Sequence, residues 1–592
     1  MKITVRAWAF LMLILMISGA FMGCDMVTIK ETELPHYDYS DREGSDYNTG
    51  LFYANSYEIP MGDPAVLAVE EEDGLWYYAT GTKSGKNFQM WRTKDLTNWE
   101  DAGIAYTPPS NFYGVKDMWA PQLMYDPEAD WKYYLGDNAG DGKGLYILAF
   151  SARGADGVCQ VTITFSKKIA GPYQHFNGSN ADCDKFDASV PLFRMEKLKG
   201  LGLYSDHKYG DLYKENRSFI DACPFIDPVT GEKYFYMVRS RNVDASNDVW
   251  GMKMKDWVTP DYSTVCPLSS YGYTTVEMDE KYNFTTKNKI DEGPFLYYKD
   301  GKYYLTLSIG DTNDKLYPVC QAIGDTPLGP FTKIQPEDGG LLSCPEMKVD
   351  IHGCGHHAFF EVGGELYIAY HTYEIVDTRN IASRYLAIDK VEWMYNEKGQ
   401  YIMYANGPTK NIQPLPAATS GYDNVAPLAK VSATNSAEGS SPELLNDKLI
   451  AHSDDDLVKE FSASGESVIT LKFDEYVTAR AIMFYNSYDY KKTFDSIDRI
   501  EFSYRKEVDG KMCTGIAVIE DLGFDFDANA IPEDYLRYRG ESDIDQIRPC
   551  SAAIAEFNEL EIDQIKVFVT APNNQELVNI SEITVLGKTA GK

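Results

Sequence analysis

Between Asp63 and Ile368 the chain repeats one local pattern five times: a polar or glycine-flanked residue, an apolar run, a tight polar turn and an aromatic strand running back. The clearest copy is Asp291–Leu305, where an acidic pair sits against Gly293-Pro294, Lys299-Asp300-Gly301 reverses the chain and Tyr303-Tyr304-Leu305 returns. Asp-Gly between apolar segments is a strong short-range signal for a β-hairpin. The other copies are Asp63-Pro64-Ala65-Val66-Leu67 with Trp76-Tyr77-Tyr78, Trp119-Ala120-Pro121-Gln122-Leu123 with Tyr133-Tyr134-Leu135, Asp221-Ala222-Cys223-Pro224-Phe225 with Tyr234-Phe235-Tyr236, and Gly355-His356-His357-Ala358-Phe359 with Leu366-Tyr367-Ile368. An antiparallel unit recurring at about 50 to 70 residues predicts a β-propeller, here of five blades over residues 57–416. Asn177 to Asn216 breaks the period and reads as an insertion, the kind of loop that shapes a cleft.

On either side the chain changes character. Met1–Cys24 carries Lys2 and Arg6 ahead of an apolar run from Ala7 to Met22, short for a membrane span and suited to a secretory signal. Its end, Phe21-Met22-Gly23-Cys24, resembles a bacterial lipobox, which implies cleavage before Cys24 and lipidation of its thiol. The alternative is an ordinary signal with a chance cysteine. Residues 25–56 are acidic and polar without periodicity and read as a tether, and residues 417–423 read as a linker. From 424 to 592, segments such as Val468–Phe473 and Gln564–Thr570 alternate with Asp-rich turns, predicting a separate β-sandwich. The expected fold class is all-β, a five-bladed propeller followed by a jelly-roll sandwich.

Lys and Arg total 56 against 89 Asp and Glu, and the net charge of −33 argues against nucleic acid and anionic membrane surfaces as partners. Membrane contact is expected only through Cys24, and the expected location is the bacterial periplasm or outer-membrane surface. The 43 tyrosines favour β structure and supply flat faces that suit sugars. Nine cysteines remain after Cys24, with Cys344 and Cys354, and Cys513 and Cys550, as candidate pairs; no C-x-x-C spacing indicates structural zinc.

In a propeller the innermost strands line the axis, so Asp63, Asp221 and Glu292 would converge from blades far apart in sequence. Three close carboxylates cannot ionise independently; repulsion raises at least one pKa and leaves a protonated acid beside an ionised base. That pairing serves glycoside hydrolysis. Singly, each acid is equally a solvated turn residue, and it is the recurrence of mouth acids that favours the functional reading.

The same stretch resembles glycoside hydrolase family 43. The resemblance is carried by Asp63-Pro64, Trp119-Ala120-Pro121, Ile220-Asp221-Ala222, Glu292-Gly293-Pro294 and Gly353-Cys354-Gly355-His356, closed by Arg384 with Leu386, Ile388 and Trp393. It implies a five-bladed propeller acting on plant and related polysaccharides with inversion. By the same resemblance Asp63 is the general base, Glu292 the general acid and Asp221 the group that tunes and orients the acid. Trp119, Gln122 and Arg384 are expected at the substrate. His356 is the family's axial histidine, expected to hold a hydrated structural calcium or a water; no cofactor is required. A transition-metal site built from His352, Cys354, His356, His357 and Cys344 ranks lower, because adjacent His356 and His357 alternate sides on a strand. Gln122 stands where the family usually carries Asp or Glu, and Cys354 where it often carries Pro. A retaining fructosidase-like propeller would require Asn in place of Gly62 and Arg in place of Ile220.

Residues 424–588 resemble a discoidin-type jelly roll, most clearly at Ile580–Gly587, for which carbohydrate binding and ligand-free packing are the two readings. Taken together, the sequence leads to an exported, lipid-anchored inverting exo-glycosidase releasing arabinofuranosyl, xylosyl or galactofuranosyl units from a polysaccharide or oligosaccharide. The alternative is a non-catalytic glycan-binding surface lipoprotein.

Overall fold

The computed structural model describes residues 27–39, 50–56, 59–83, 86–178, 187–194, 197, 218–241, 246–269, 289–310, 312, 317–343, 351–377, 380–489, 491–524, 548–572 and 575–589. Most of the expected insertion at 177–216 lies outside them.

The hairpins form where the turn chemistry permits. Asp300 and Gly301 take φ of 48° and 84°, the left-handed pair a two-residue hairpin needs, so Lys289–Lys299 returns as Lys302–Ile309 with Tyr298 opposite Tyr303. Five such units follow one another. The first blade is Gly62–Glu71, Gly74–Thr82, Phe88–Thr93 and Glu100–Tyr106; the second is Gly114–Asp130, Lys143–Gly154 and Cys159–Ser166. The third is Ser218–Ile226, Lys233–Arg241 and Ser246–Asp256, and the fourth adds Val319–Gly324 and Phe331–Lys333 to its hairpin. The fifth is Ala358–Val362, Glu365–Asp377, Asn380–Tyr395 and Tyr401–Ala405.

Apolar faces of neighbouring blades pack on each other, and the ring closes because every gap is filled. Phe88 and Phe150 share the core between blades one and two, Phe165 and Phe235 that between two and three, and Tyr236 and Leu296 that between three and four. Tyr304 and Ile368 meet between four and five, and Tyr77 and Phe360 between five and one. The entering chain is stitched to the last blade by Met61 N–H, which donates to the Arg384 carbonyl at 2.8 Å.

Three expectations change. Tyr133-Tyr134-Leu135 is not a strand: Trp131–Leu135 is a short helix whose Tyr133 N–H donates to Asp130 at 2.7 Å, and Lys143–Gly154 takes the strand position. A capping Asp and a buried Tyr134 stacked on Phe165 outweigh the β propensity of the tyrosines. The linker is docked, since the Ala417 N–H donates to Glu365 at 2.7 Å and Thr419 bonds the Tyr77 hydroxyl at 2.6 Å.

The third change concerns the tether. Val27–Thr28 and Thr32–Glu33 pair in parallel with Cys513–Thr514 and Ala517–Val518, and His36–Asp38 pairs with Ala555–Phe557. The acids between are exposed edge residues, while Ile29 and Leu34 turn into the core of the C-terminal unit. That unit wraps Ile497–Val508, Lys511–Leu522 and the long strands Glu466–Asn486, Ala552–Thr570 and Leu577–Thr589 round one apolar core. It meets the propeller through Tyr39, Phe52, Ile412, Ile450 and Tyr485, and the Tyr404 hydroxyl donates to the Ile450 carbonyl at 2.7 Å. Cys513 and Cys550 are separate thiols, and Cys344 lies outside the described residues.

Candidate active site

The inner strands share one irregularity at the mouth of the propeller. Gly62 faces Thr82 but Ala65 faces Thr80, so two residues oppose one; the same step separates Trp119 from Gln122, Ile220 from Cys223, and Glu292 from Phe295. In the fifth blade the His371 N–H reaches the Gly355 carbonyl at 3.4 Å while Ala358 faces Ala369, which is the same step. The first residue inside each bulge is left-handed: Asp63 at φ 47°, Ala120 at 50°, Asp221 at 56°, Gly293 at 57° and His356 at 46°. Left-handed φ costs a residue with a Cβ about 1–2 kcal/mol. The bulges thus hold strained residues that re-aim side chains.

This arrangement corrects the expectation that all three acids occupy equivalent positions. Asp63 and Asp221 sit on the left-handed residue. Glu292 precedes it by one, in register with Gly62, Trp119, Ile220 and Gly355.

The three carboxylates nevertheless meet, each less than a tenth exposed. Arg384 Nη1 donates to Asp63 Oδ1 at 2.5 Å, and His356 Nδ1 lies 3.5 Å from that oxygen and 3.9 Å from Asp221 Oδ2. The Gly293 N–H donates to Asp221 Oδ2 at 2.9 Å. Glu292 accepts twice, from the Tyr317 hydroxyl at 2.7 Å on Oε1 and from Asn247 Nδ2 at 3.0 Å on Oε2. The Tyr317 ring stacks on His371 at 5.8 Å, and His371 Nδ1 accepts the Asp63 N–H at 3.3 Å, closing a ring of contacts. Arg384 reaches Asp63 only because residue 62 is glycine, since a Cβ there would lie 2.1 Å from the guanidinium carbon. An Asn at that position would displace the arginine.

The environments divide the acids. Burial pushes Asp63 up, but Arg384, His356, His371 and a Thr82 hydrogen bond outweigh it and hold its carboxyl well below the usual range. Arg384 is the decisive charge, because burial drives both imidazoles toward their neutral forms. Asp221 is driven far up by burial and by the charges of Glu292 and Asp63. With one permanent cation among three carboxylates, the neutral form of Asp221 is the favoured one. Neighbouring Asp291 belongs elsewhere, fully buried with Lys333 Nζ at 2.9 and 2.8 Å from its two oxygens.

Trp119 lies half-buried in register with Glu292, the Arg153 guanidinium 5.1 Å over its ring. Gln122 is past the bulge, on the wall of a separate axial cavity of about 550 Å³ shared with Phe225, Phe295 and Phe359. None of the three acids lines that cavity.

The donor set does not fit a protein-ligated calcium. Calcium takes six to eight oxygen ligands, whereas His356 offers imidazole with Nδ1 turned to the acids, and no group of three or more His, Cys, Asp or Glu among the described residues is placed to share a metal ion. A fully hydrated ion would rest on one ring nitrogen.

The sequence model described as "Glycosyl hydrolases family 43" matches residues 59–190 and 184–398, more than half of the chain and all of the five-bladed ring except its last strand, Tyr401–Ala405. The chain belongs to this family. The family-43 chain is 33% identical over 86 residues to a "Xylosidase/arabinosidase" of Bacteroides ovatus, covering 14% of this chain and 22% of the relative. It is 28% identical over 137 residues to "Beta-D-galactofuranosidase xynD" of Aspergillus niger, covering 22% and 36%. It therefore spans well under two thirds of either relative. Among solved structures, a thermostable family-43 glycoside hydrolase is 24% identical with a TM-score of 0.44, covering 62% of this chain and 98% of that one.

Sequence reasoning missed His371, Tyr317, Asn247 and Thr82 in this family-43 pocket. Only His371 carried a usable signal: it is one of eight histidines and follows the apolar run Leu366–Tyr370, in line with Gly355 of the mouth motif.

Proposed function

We propose that the protein is an inverting glycosidase, acting from the chain end on arabinofuranosyl, xylosyl or galactofuranosyl units. Asp63, kept ionised by Arg384, takes a proton from water as that water attacks the anomeric carbon. Glu292 gives a proton to the departing glycosidic oxygen on the other side. Asp221 acts through Glu292 as the group that tunes and orients the acid: it accepts the Gly293 N–H beside it, and burial with the charges of Glu292 and Asp63 drives its own pKa up. The observation that carries the reading is the opposed environment of acids brought from blades one, three and four. The activities for which the two relatives are named support the choice of sugars.

The test uses nitrophenyl arabinofuranosides, xylosides and galactofuranosides, with the first-formed anomer followed by proton NMR. Inversion is expected, and retention would overturn the assignment of Asp63. Glu292→Gln is expected to lose about 10²–10⁴-fold in kcat/KM on alkyl glycosides, and far less on dinitrophenyl glycosides, whose leaving group needs no proton. Equal loss on both would remove Glu292 from the acid role. If the wild-type protein binds glycans and cleaves none across the panel, the binding-lipoprotein reading takes its place. We further propose that the chain is exported and anchored through acylated Cys24.

A further inference from the structure

The edge of the C-terminal unit brings together two features distant in sequence. Val27–Thr28 runs parallel to Cys513–Thr514, with the Ile29 N–H donating to the Thr514 carbonyl at 2.7 Å. Its partner strand, Lys511–Leu522, begins at the hairpin turn Asp509-Gly510, where φ is 52° and 76°. Because the pairing is parallel, the chain enters at Val27 from the side of that turn. Cys24 is three residues upstream, and a chain spans at most about 3.6 Å per residue, so its Cα stays within about 11 Å of Val27.

The turn is unlike the rest of the surface. Eleven large hydrophobic residues are exposed among the described residues; two of them, Val508 at 40% and Met512 at 45%, flank this turn, and a third, Ile516 at 37%, lies four residues along the strand from Met512. Lys506 and Lys511 balance Glu507 and Asp509, so the turn is formally neutral on a chain of net charge −33. A neutral apolar tip is the part of such a molecule that lipid headgroups would not repel.

We propose that this hairpin turn is a membrane-contact surface: it rests on the bilayer holding the acyl chains of Cys24, with Val508 and Met512 entering the interfacial layer and Ile516 flanking them. The inference rests on the reading of Cys24 as an acylated residue. In that reaction a phospholipid supplies a diacylglyceryl group; the thioether S–C bond forms as the glyceryl C–O bond to phosphate breaks, and the thiol proton ends on the departing headgroup phosphate. With so short a spacer, the anchor sets where the folded edge meets the membrane.

The experiment expresses the full chain in a lipoprotein-processing bacterial host with Met512→p-benzoylphenylalanine or, as control, Tyr395→p-benzoylphenylalanine at an exposed residue of the fifth blade. Isolated membranes are irradiated, and mass spectrometry reads phospholipid adducts and the state of Cys24. Adduct at 512, with only background at 395 and loss of the 512 adduct on adding Cys24→Ser, is expected. An acylated Cys24 without adduct at 512, or with equal adduct at 395, overturns the contact surface and leaves the anchor standing. A Cys24 that carries no lipid overturns the anchor and the inference with it.

Discussion

Glu292 is held by two hydrogen-bond donors and Asp63 by one cation, and the two constraints act on opposite limbs of a pH–rate profile. Donors to a carboxylate favour its ionised form, so Tyr317→Phe raises the pKa of the acid and moves the alkaline limb upward. A bond to a charged group is worth about 1.5–3 kcal/mol, or roughly one to two pH units. Arg384→Met lets burial raise Asp63, so the acidic limb moves upward instead. Profiles of kcat/KM for both variants check this, and the same limb moving in each would refute the division of roles. Asp221 bears on stability with a definite sign. Its folded pKa lies above its unfolded value, so its contribution is present in acid and is lost as pH rises through the folded value. Asp221→Asn is expected to unfold like wild type in acid and at higher temperature than wild type in alkali, as followed by circular dichroism. The acids themselves were legible in sequence, because Asp63, Asp221 and Glu292 recur at the mouths of separate copies of one repeat. Tyr317 and Asn247 were not, because a tyrosine before Pro318 or an asparagine beside Asp248 looks like any loop residue until the blades close.

At the scale of the element, the bulge rather than the hairpin is the functional unit. Four non-glycine residues hold left-handed φ there, and Ala120 does so with no polar group to aim. Ala120→Gly is therefore expected to raise stability by up to about 1 kcal/mol, measured as a higher urea midpoint; a lower midpoint would mean the bulge is unstrained. Gly293→Ala should do the reverse, since φ is 57° and the new Cβ would lie 3.2 Å from the His356 ring. The hairpins were readable because turn residues and alternation act over a few positions. The bulges were not, because a one-residue excess exists only against a partner strand. That is why Glu292 reads as the equal of Asp63 in sequence and stands one residue earlier in space. The second blade misled for a related reason: Tyr133 and Tyr134 have strand composition, yet Asp130 caps them into a helical turn.

The whole molecule was legible as a ring followed by a second unit, but not as one in which the N-terminal segment belongs to the C-terminal unit. Polar residues 27–38 carry no periodicity, and apart from backbone pairing their fit to the edge of Lys511–Leu522 is carried by the apolar side chains of Ile29 and Leu34. Deleting 27–38 uncovers a strand edge and part of the core. The deleted chain is expected to show an earlier unfolding transition by calorimetry and concentration-dependent light scattering, with the propeller transition unchanged. This pairing also imposes an order in time. During synthesis the segment around Val27 emerges among the first and its partner around Cys513 among the last, so the C-terminal unit cannot complete its sheet until nearly the whole polypeptide has been made. A prematurely terminated chain would leave its leading segment with nothing to pair, marked for proteolysis by its own unfinished edge.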